Sequence, residues 1–262
     1  MAQVPAMRAQ PLALSRRDRV RAATSQEIIQ TARRLLVTQG SGALSLRAIA
    51  REMGMTAPAL YRYFGSYETL IHHVVADIFN ELSDYVEGEV SAACDGMEAA
   101  STDTETEATA IGLITACQAF RQWAVAHPAE FGMIFGAPLP DVDLYHDDPL
   151  MQCGMRFGQI FMRLFVKLWQ IKPFDVPAEE DIEPRFRAQL ARYRDVHGND
   201  LPLGAVQTFL RCWVSLYGTV TLEVFGHMRF ALDDPAQMFE LMMTDLAAMI
   251  GLGYTPSESQ AT

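Results

Sequence analysis

Small, aromatic and basic side chains follow one another in residues 45–64, SLRAIAREMGMTAPALYRYF, in an order that suits contact with a nucleic acid. Ser45 and Thr56 are helix N-cap residue types, and each is followed by apolar residues at helical spacing. Gly54 lies between the two stretches, where a left-handed backbone ends a helix at no steric cost. The pattern predicts two short helices joined by a tight turn.

The second of these helices is predicted to carry the chemistry. Its outward positions combine small residues with hydroxyl and guanidinium groups that can bind phosphates and base edges; they are Ala57, Ala59, Tyr61, Arg62 and Tyr63. A helix of this width fits the major groove of DNA. The alternative is that these side chains form an ordinary exposed surface.

The charge of the chain is unevenly distributed. The formal net charge is −11, which by itself argues against binding to a polyanion. Residues 1–66, however, contain ten arginines and three acidic residues, a charge of +7, and the remaining 11 basic and 29 acidic residues give −18. A basic N-terminal part that coincides with the helix pair favours nucleic-acid binding. The alternative is an acidic chain whose charge serves solubility alone.

Helical apolar spacing recurs along the whole chain, and no alternating strand pattern is found, which predicts an all-α fold. Thr24 and Glu27 form a T-x-x-E capping box that is predicted to start the first helix. The predicted domains are a flexible basic arm at 1–22, a helix-turn-helix domain at 23–70 with its motif at about 45–65, a helical C-terminal domain at 71–252, and a flexible tail at 253–262.

The role of the basic arm is open at this point. Its arginines at positions 16, 17, 19 and 21 could reach phosphates or an adjacent minor groove. The arm could equally be a disordered, solubilising tail.

The C-terminal part offers no residue pattern typical of a catalytic site. The four cysteines are widely spaced in apolar helical contexts, so core positions are expected rather than disulfides or metal ligands; they are Cys94, Cys117, Cys153 and Cys212. No apolar run is long enough to span a bilayer, and no signal-peptide pattern is found, so a cytoplasmic location is expected. No cofactor, metal or membrane partner is predicted.

Several motifs in register resemble the DNA-binding domain of the TetR/AcrR family of bacterial transcriptional regulators. They are TSQEIIQTARRLL at 24–36, SLRAIAREMGM at 45–55, APALYRYF at 57–64 and ETL at 68–70. In the C-terminal part, two further motifs resemble the subgroup named for a Trp-His-Gly motif, with Tyr217 in the place of the histidine; they are HPAEFGMIFGAP at 127–138 and WVSLYG at 213–218.

The resemblance implies a homodimeric repressor, not an enzyme, that binds double-stranded DNA at a near-palindromic operator. By analogy, Arg47 reaches a phosphate or a guanine edge, and Thr56 at the helix N-terminus holds a phosphate. Tyr67 stands where the family usually has a phosphate-binding lysine; its hydroxyl can donate a hydrogen bond, but the positive charge is lost. The expected DNA contacts are Arg47, Thr56, Ala57, Ala59, Tyr61, Arg62, Tyr63 and Tyr67.

The last two helices are expected to form the dimer interface, because their apolar residues occupy more of each helix surface than an amphipathic stripe requires. The expected contacts are Phe209, Leu210, Trp213, Leu216, Tyr217, Val220, Met242 and Leu246. The alternative is a monomer in which these helices are fully buried.

A small-molecule effector, bound inside the C-terminal domain, is also implied by the resemblance. Aromatic walls favour an apolar or aromatic molecule, although core packing is the alternative for each of the expected residues: Trp123, Phe157, Phe161, Phe165 and Trp213. Glu223 lies in an apolar run, where a charge needs a partner; His227, a ligand and the other subunit are the candidates. Effector binding is expected to release DNA through differential affinity for two conformations.

Two other classes of function stay open on the sequence alone. One is an architectural DNA-binding protein without an effector, and the other is a helical enzyme or carrier. A mobility-shift assay separates a DNA binder from an enzyme, and loss of the shift with a small molecule separates an effector-responsive regulator from an architectural protein.

Overall fold

The computed structural model describes residues 15–97, 101–136 and 149–256, and these residues form ten α-helices and no β-strand. The predicted all-α fold class is confirmed. Two short 3₁₀ turns, Ser41–Ala43 and Glu179–Asp181, accompany the helices. The helices are α1 (Arg16–Gln39), α2 (Leu46–Glu52), α3 (Ala57–Phe64), α4 (Tyr67–Cys94), α5 (Thr102–Ala126), α6 (Pro128–Phe135), α7 (Pro149–Ile171), α8 (Pro184–Val196), α9 (Leu203–Val224) and α10 (Ala236–Met249).

The chain divides into two units, Met1–Val74 and Val75–Thr262. The predicted boundary at residue 70 therefore lies four residues too early, inside helix α4. Leu70 and Val74 on this helix are both fully buried. This explains the shift, because the apolar stripe of α4 continues past residue 70 within the first unit.

Helices α1, α2 and α3 surround a small apolar core in the first unit. Ile28, Ile49 and Leu60, one from each helix, are fully buried, and Phe64 is nearly so. Burying a side chain of this size contributes about 1.5–3 kcal/mol. The core therefore holds the short helices in a fixed arrangement, although two of them have fewer than nine residues.

Helix α1 begins eight residues before the predicted cap at Thr24. Ser15 is the N-cap: its Oγ accepts a hydrogen bond from the backbone N–H of Asp18 at 3.2 Å and lies 2.6 Å from the Asp18 carboxylate. The Thr24 hydroxyl instead donates to the carbonyl of Val20 inside the helix. The predicted arm is thus wrong over residues 16–22, because a cap further upstream starts the helix. Residues 1–14 lie outside the described residues.

The second unit is built on α5, α7 and α9, with α10 and α8 packed against α9. Phe120 on α5 is fully buried at the centre. Its ring centroid lies 5.4 Å from that of Phe157 on α7 and 6.2 Å from that of Trp213 on α9. Aromatic pairs at such distances stabilise a core beyond the area that they bury.

Some predicted boundaries in the second unit shift. The small, polar and acidic residues 91–105 predict a linker, but α4 continues to Cys94, and Ser101 caps α5 by accepting from the backbone N–H of Thr104. The sequence also predicts a helix from about residue 178, but this helix begins at Pro184, where Glu183 supplies the cap and proline suits the first helical position. The loop that the sequence predicts at 137–148 lies outside the described residues.

Residues 251–256, here called the C-terminal strap, follow α10 without helical structure. The Tyr254 hydroxyl donates to the Glu240 carboxylate at 2.6 Å and accepts from the Gln118 amide at 3.3 Å. Lys172 Nζ donates to the carbonyl of Gly251 at 3.4 Å. The predicted flexible tail is therefore wrong over 253–256, because Tyr254 fastens the strap to α5 and α10. Residues 257–262 lie outside the described residues.

Candidate nucleic-acid interface and apolar cavity

Helices α2 and α3 form the predicted helix-turn-helix pair. Ser45 Oγ accepts from the backbone N–H of Ala48 at 3.2 Å, which confirms its predicted capping role. Gly54 has a φ of 63°, the left-handed conformation that the turn requires. Thr56 occupies the N-cap position of α3, but its hydroxyl makes no capping hydrogen bond. A hydroxyl beside the N-terminus of a helix is well placed to bind an anion such as phosphate.

The predicted DNA contacts on this motif differ in exposure. Four of them are exposed, and Tyr61 has 52% of its surface accessible; they are Arg47, Thr56, Tyr61 and Arg62. Three are half-buried: Ala57, Ala59 and Tyr63. Leu60 on the opposite side of α3 is fully buried. The helix therefore presents hydroxyl and guanidinium groups outward from a fixed apolar base.

Tyr67, at the start of α4, is held by the protein itself. Its hydroxyl donates to the carbonyl of Leu44 at 3.1 Å. Burial raises the pKa of Tyr67, and the neighbouring Glu68 carboxylate adds to the increase. In this arrangement the hydroxyl proton is not available to a phosphate. The geometry argues against Tyr67 as a substitute for the family's lysine.

Arg21 on α1 contacts α3, the predicted recognition helix of the motif, and the sequence did not predict this contact. Its Nη2 donates to the carbonyl of Arg62 at 2.8 Å, and its guanidinium carbon lies 5.6 Å from the ring centre of Tyr63. The signal in the sequence is its position, since Arg21 lies seven residues before the buried Ile28 and thus on the same face of α1.

An apolar cavity of about 50 Å³ lies in the second unit among α5, α7, α9, α10 and the strap. Three of the five predicted aromatic residues line it: Phe161, Phe165 and Trp213. The remaining wall residues are Leu113, Ile114, Cys117, Phe209, Cys212, Leu216, Met243, Leu246, Ala247, Ile250 and Leu252. A wall without charged groups suits an apolar molecule.

The other two predicted pocket aromatics belong to the surrounding core. Trp123 is 2% exposed and stacks on His127 with the ring centroids 4.8 Å apart. Phe157 is also 2% exposed and contacts Phe120, Phe161 and Trp213. Neither lines the cavity, so core packing, the alternative considered from the sequence, describes both.

Two thiols in the cavity wall are unreactive at neutral pH. Burial raises the pKa of the Cys117 thiol to about 12 and that of the Cys212 thiol to about 11. Both stay protonated at neutral pH, whereas the thiolate is the form that attacks electrophiles and binds metals. No group of three metal-ligating side chains occurs among the residues that the structure describes.

Glu223 finds its partner inside the same chain. Arg121 on α5 donates to both carboxylate oxygens of Glu223, from Nε at 2.7 Å and from Nη2 at 2.6 Å. The Glu223 side chain is 8% exposed and that of Arg121 is 22% exposed. The partner of Glu223 within the chain is therefore Arg121 and not His227, because this bidentate ion pair satisfies the buried carboxylate. The ligand contact stays a prediction.

The residues expected at the dimer interface mostly face the interior of their own chain. Five of them are buried: Phe209, Leu216, Val220, Met242 and Leu246. Tyr217 is half-buried and donates to the carbonyl of Phe135 at 3.0 Å, while Leu210 and Trp213 are half-buried. The exposed apolar residues on α9 and α10 are different ones, namely Val214 (67%), Leu222 (44%), Met238 (42%) and Leu241 (59%).

Leu252 on the strap lines both the apolar cavity and a neighbouring cleft. The cleft has a volume of about 470 Å³ and is lined by residues of α5 together with Ile171, Lys172, Leu252 and Gly253. The two spaces therefore share one wall residue.

A helix-turn-helix unit followed by an all-helical unit defines a DNA-binding transcriptional regulator. The family model described as "Bacterial regulatory proteins, tetR family" matches residues 28–74, and the model described as "Tetracyclin repressor-like, C-terminal domain" matches residues 113–246, just over half of the chain. The chain belongs to the TetR family of bacterial regulatory proteins, which are regulators and not enzymes. The subgroup suggested by the Trp-His-Gly motif stays a prediction.

Known proteins resemble the chain over most of its length. The HTH-type transcriptional regulator Rv1816 of Mycobacterium tuberculosis is 28% identical over 237 residues, 90% of this chain and 95% of that protein. The crystal structure of SCO4313, described as a regulatory protein, has a TM-score of 0.64 at 27% identity and covers 89% of this chain and 100% of that one. A Rhodococcus sp. RHA1 protein of unknown function shares the fold, with a TM-score of 0.57 at 17% identity over 88% of this chain and 95% of that one.

The structure also bears on the expected partners. Among the described residues, no helix is both long and apolar enough to cross a membrane. TetR-family regulators bind DNA and form dimers.

Proposed function

We propose that this protein is a homodimeric repressor that binds a near-palindromic operator in the cytoplasm and releases it when a small apolar molecule enters the second unit. The observation that carries the proposal is the α2–α3 pair. Its inner residues Ile49 and Leu60 are fully buried, while Tyr61 and Arg47 stay accessible, in a chain of the TetR family.

Each exposed group on the motif has a role in this proposal. Arg47 and Thr56 bind backbone phosphates beside the N-terminus of α3, where the helix dipole favours negative charge. Tyr61 and Tyr63 donate hydroxyl protons to phosphates or meet a thymine methyl group with their rings. Ala57 and Ala59 allow α3 to approach the bases closely.

The dimer forms through the exposed faces of α9 and α10, with a second copy of the chain as the partner. Val214 on α9 and Leu241 on α10 are more than half exposed. Apolar side chains in such positions are typical of an interface. We infer this outer face rather than the residues first expected, such as Leu216 and Leu246, because those two are buried in their own chain.

The effector binds in the apolar cavity, whose volume of about 50 Å³ is below the roughly 150 Å³ in which an engineered protein core binds benzene. A larger molecule therefore requires movement of wall side chains. DNA release follows if the conformation with the larger cavity has a lower affinity for the operator. A tenfold loss of affinity corresponds to a coupling free energy of about 1.4 kcal/mol.

Selection of duplexes from a random pool, followed by a mobility-shift titration, tests the central proposal. An enriched near-palindromic duplex should bind at about 10⁻⁸ M or tighter at physiological salt. Failure to enrich any sequence would contradict operator binding. Titration of the complex with small aromatic hydrocarbons then tests the effector: loss of the shift supports the cavity as the site, and an unchanged shift with every probe favours a protein without an effector.

Sedimentation of the free protein tests the dimer. Val214→Glu should yield monomers, because it places a charge in the proposed interface. Val196→Glu is the matched control, since Val196 is 69% exposed on α8 and lies outside that interface. A Val214→Glu protein that sediments as wild type does would place the interface elsewhere.

A further inference from the structure

The first two turns of α1 form a basic extension ahead of the helix-turn-helix motif. Residues 16–23 are helical and carry arginines at positions 16, 17, 19 and 21 with one acid, Asp18. The family model of the DNA-binding domain begins only at residue 28. These turns are thus a feature of this chain that the family match does not cover.

Arg21 ties the extension to the C-terminal end of the recognition helix. The carbonyl of Arg62 is one of the last four carbonyls of α3, which have no partner within the helix. Arg21 satisfies it at 2.8 Å and places its guanidinium group against the ring of Tyr63 at 5.6 Å. A contact that both caps α3 and packs on Tyr63 fixes the orientation of this tyrosine.

The helical repeat then places the other arginines around α1. Arg17 lies one turn before Arg21 and therefore on nearly the same face of the helix. Arg19 lies two residues before Arg21, about 160° away around the helix axis. Both are exposed. The two side chains thus carry the same charge on nearly opposite sides of one helix.

We propose that the extension of α1 is a second DNA-binding element, in which Arg21 positions Tyr63 and Arg17 binds a backbone phosphate beside the half-site that α3 reads. The inference rests on the proposed operator binding. The face that carries Arg17 continues into the Arg21 contact with α3, so a duplex that reaches Tyr63 is adjacent to it. Duplex phosphate is also the partner that matches the +7 charge of residues 1–66.

The matched pair Arg17→Ala and Arg19→Ala tests the phosphate contact. Each variant removes one positive charge from an exposed position of the same helix, so a general loss of charge affects both alike. The affinity for the selected operator is measured from 0.05 to 0.3 M salt. The plot of log K against log salt has a negative slope. Arg17→Ala should make this slope less steep by about 0.9 per subunit, or about 1.8 for a dimer, whereas Arg19→Ala should keep the wild-type slope.

Equal slopes for the two variants, whether both reduced or both unchanged, would overturn the phosphate assignment. If the wild-type protein binds the operator but the two variants have equal slopes, this inference fails and the proposed function still holds. A wild-type protein that binds no operator removes the proposed function itself. The two failures are therefore distinguishable.

Arg21→Lys tests the positioning role. Lysine keeps the charge but lacks the planar group that can bond Arg62 and lie against Tyr63 together. The ratio of affinities for the operator and for a scrambled duplex should fall several-fold, while the salt slope and the melting temperature stay at their wild-type values. A structural role alone would lower the melting temperature without changing the ratio, and that result, like an unchanged ratio, would overturn the assignment.

Discussion

The two units place their functional side chains in opposite environments. In the first unit the groups proposed to act lie on the surface, with Tyr61 52% exposed over a buried Leu60. In the second unit the groups proposed to act lie inside, and Leu216 in the cavity wall is 2% exposed. In α3, DNA recognition and stability therefore depend on different faces of the helix. In the second unit, the same buried side chains serve effector binding and stability. Substitutions in each unit test this contrast.

The largest effect is expected at the ion pair of the second unit. Arg121→Ala removes the partner of the Glu223 carboxylate, whose side chain is 8% exposed in the intact protein. Removing one member of such a pair should lower the free energy of unfolding by about 3–5 kcal/mol, measured by urea denaturation. The double variant Arg121→Met, Glu223→Leu is the control and should recover most of the loss, because it removes both charges. A single variant as stable as wild type would contradict a structural role for the pair.

A cavity-wall substitution should link stability to binding. Leu216→Ala is expected to cost about 2–5 kcal/mol, because it enlarges the cavity. Benzene should then raise the melting temperature of the variant more than that of wild type, since a ligand that binds only the folded state stabilises it. Val214→Ala, on the exposed side of the same helix, is the matched control. Equal increases in melting temperature for the two variants would show that benzene does not bind in the enlarged cavity.

Removing tyrosine side chains from the first unit should instead weaken DNA binding with little effect on stability. Tyr61→Ala with Tyr63→Ala should weaken operator binding by about 10- to 100-fold, the equivalent of losing a hydrogen bond to a charged group of about 1.5–3 kcal/mol. The free energy of unfolding should change much less than for Leu216→Ala, because Tyr61 is exposed and Tyr63 is only half-buried. Mobility shift and denaturation on the same sample measure both quantities. A loss of stability that matches the loss of affinity would remove the contrast between the units.

The smallest effect concerns the strap at alkaline pH. Burial, together with the hydrogen bond to Glu240, raises the pKa of Tyr254 to about 12 from an unfolded value near 10. The folded state therefore favours the neutral phenol, and its contribution is complete below pH 10 and is lost as the pH rises towards 12. Allowing for solvent screening, the loss is roughly 1 kcal/mol.

Tyr254→Phe is the variant that tests this pH dependence. It should be less stable than wild type at pH 8, yet its stability should decline less between pH 10 and 12, as followed by thermal denaturation at each pH. Identical declines for the two proteins would show that Tyr254 does not titrate in this range.

The motif of the first unit was predictable because its signals are local. Ser45, Gly54 and the apolar spacing of α2 and α3 lie within twenty residues, and the structure places each as expected. The start of α1 was missed because Ser15 with Asp18 is as good a cap as Thr24 with Glu27, and sequence alone does not rank them. The Arg21 contact joins residues 41 positions apart, which no local pattern contains.

The second unit was predictable in class but not in detail. Its all-helical class was predicted correctly, but an apolar stripe does not say whether it faces the same chain, a cavity or a second copy. Leu216 and Val214 lie two residues apart on α9; Leu216 lies in the cavity wall, whereas Val214 is exposed. Glu223 needed a partner, and Arg121, 102 positions away, was not identifiable from the spacing.

Leu252 bears on the rate of ligand exchange rather than on the binding affinity. It lines both the apolar cavity and the cleft beside it, and Tyr254, two residues on, holds the strap by hydrogen bonds with Glu240 and Gln118. If a molecule exchanges through the cleft, Leu252 has to move aside for each passage. The exchange rate would then depend on how often these hydrogen bonds break as well as on how well the molecule fits.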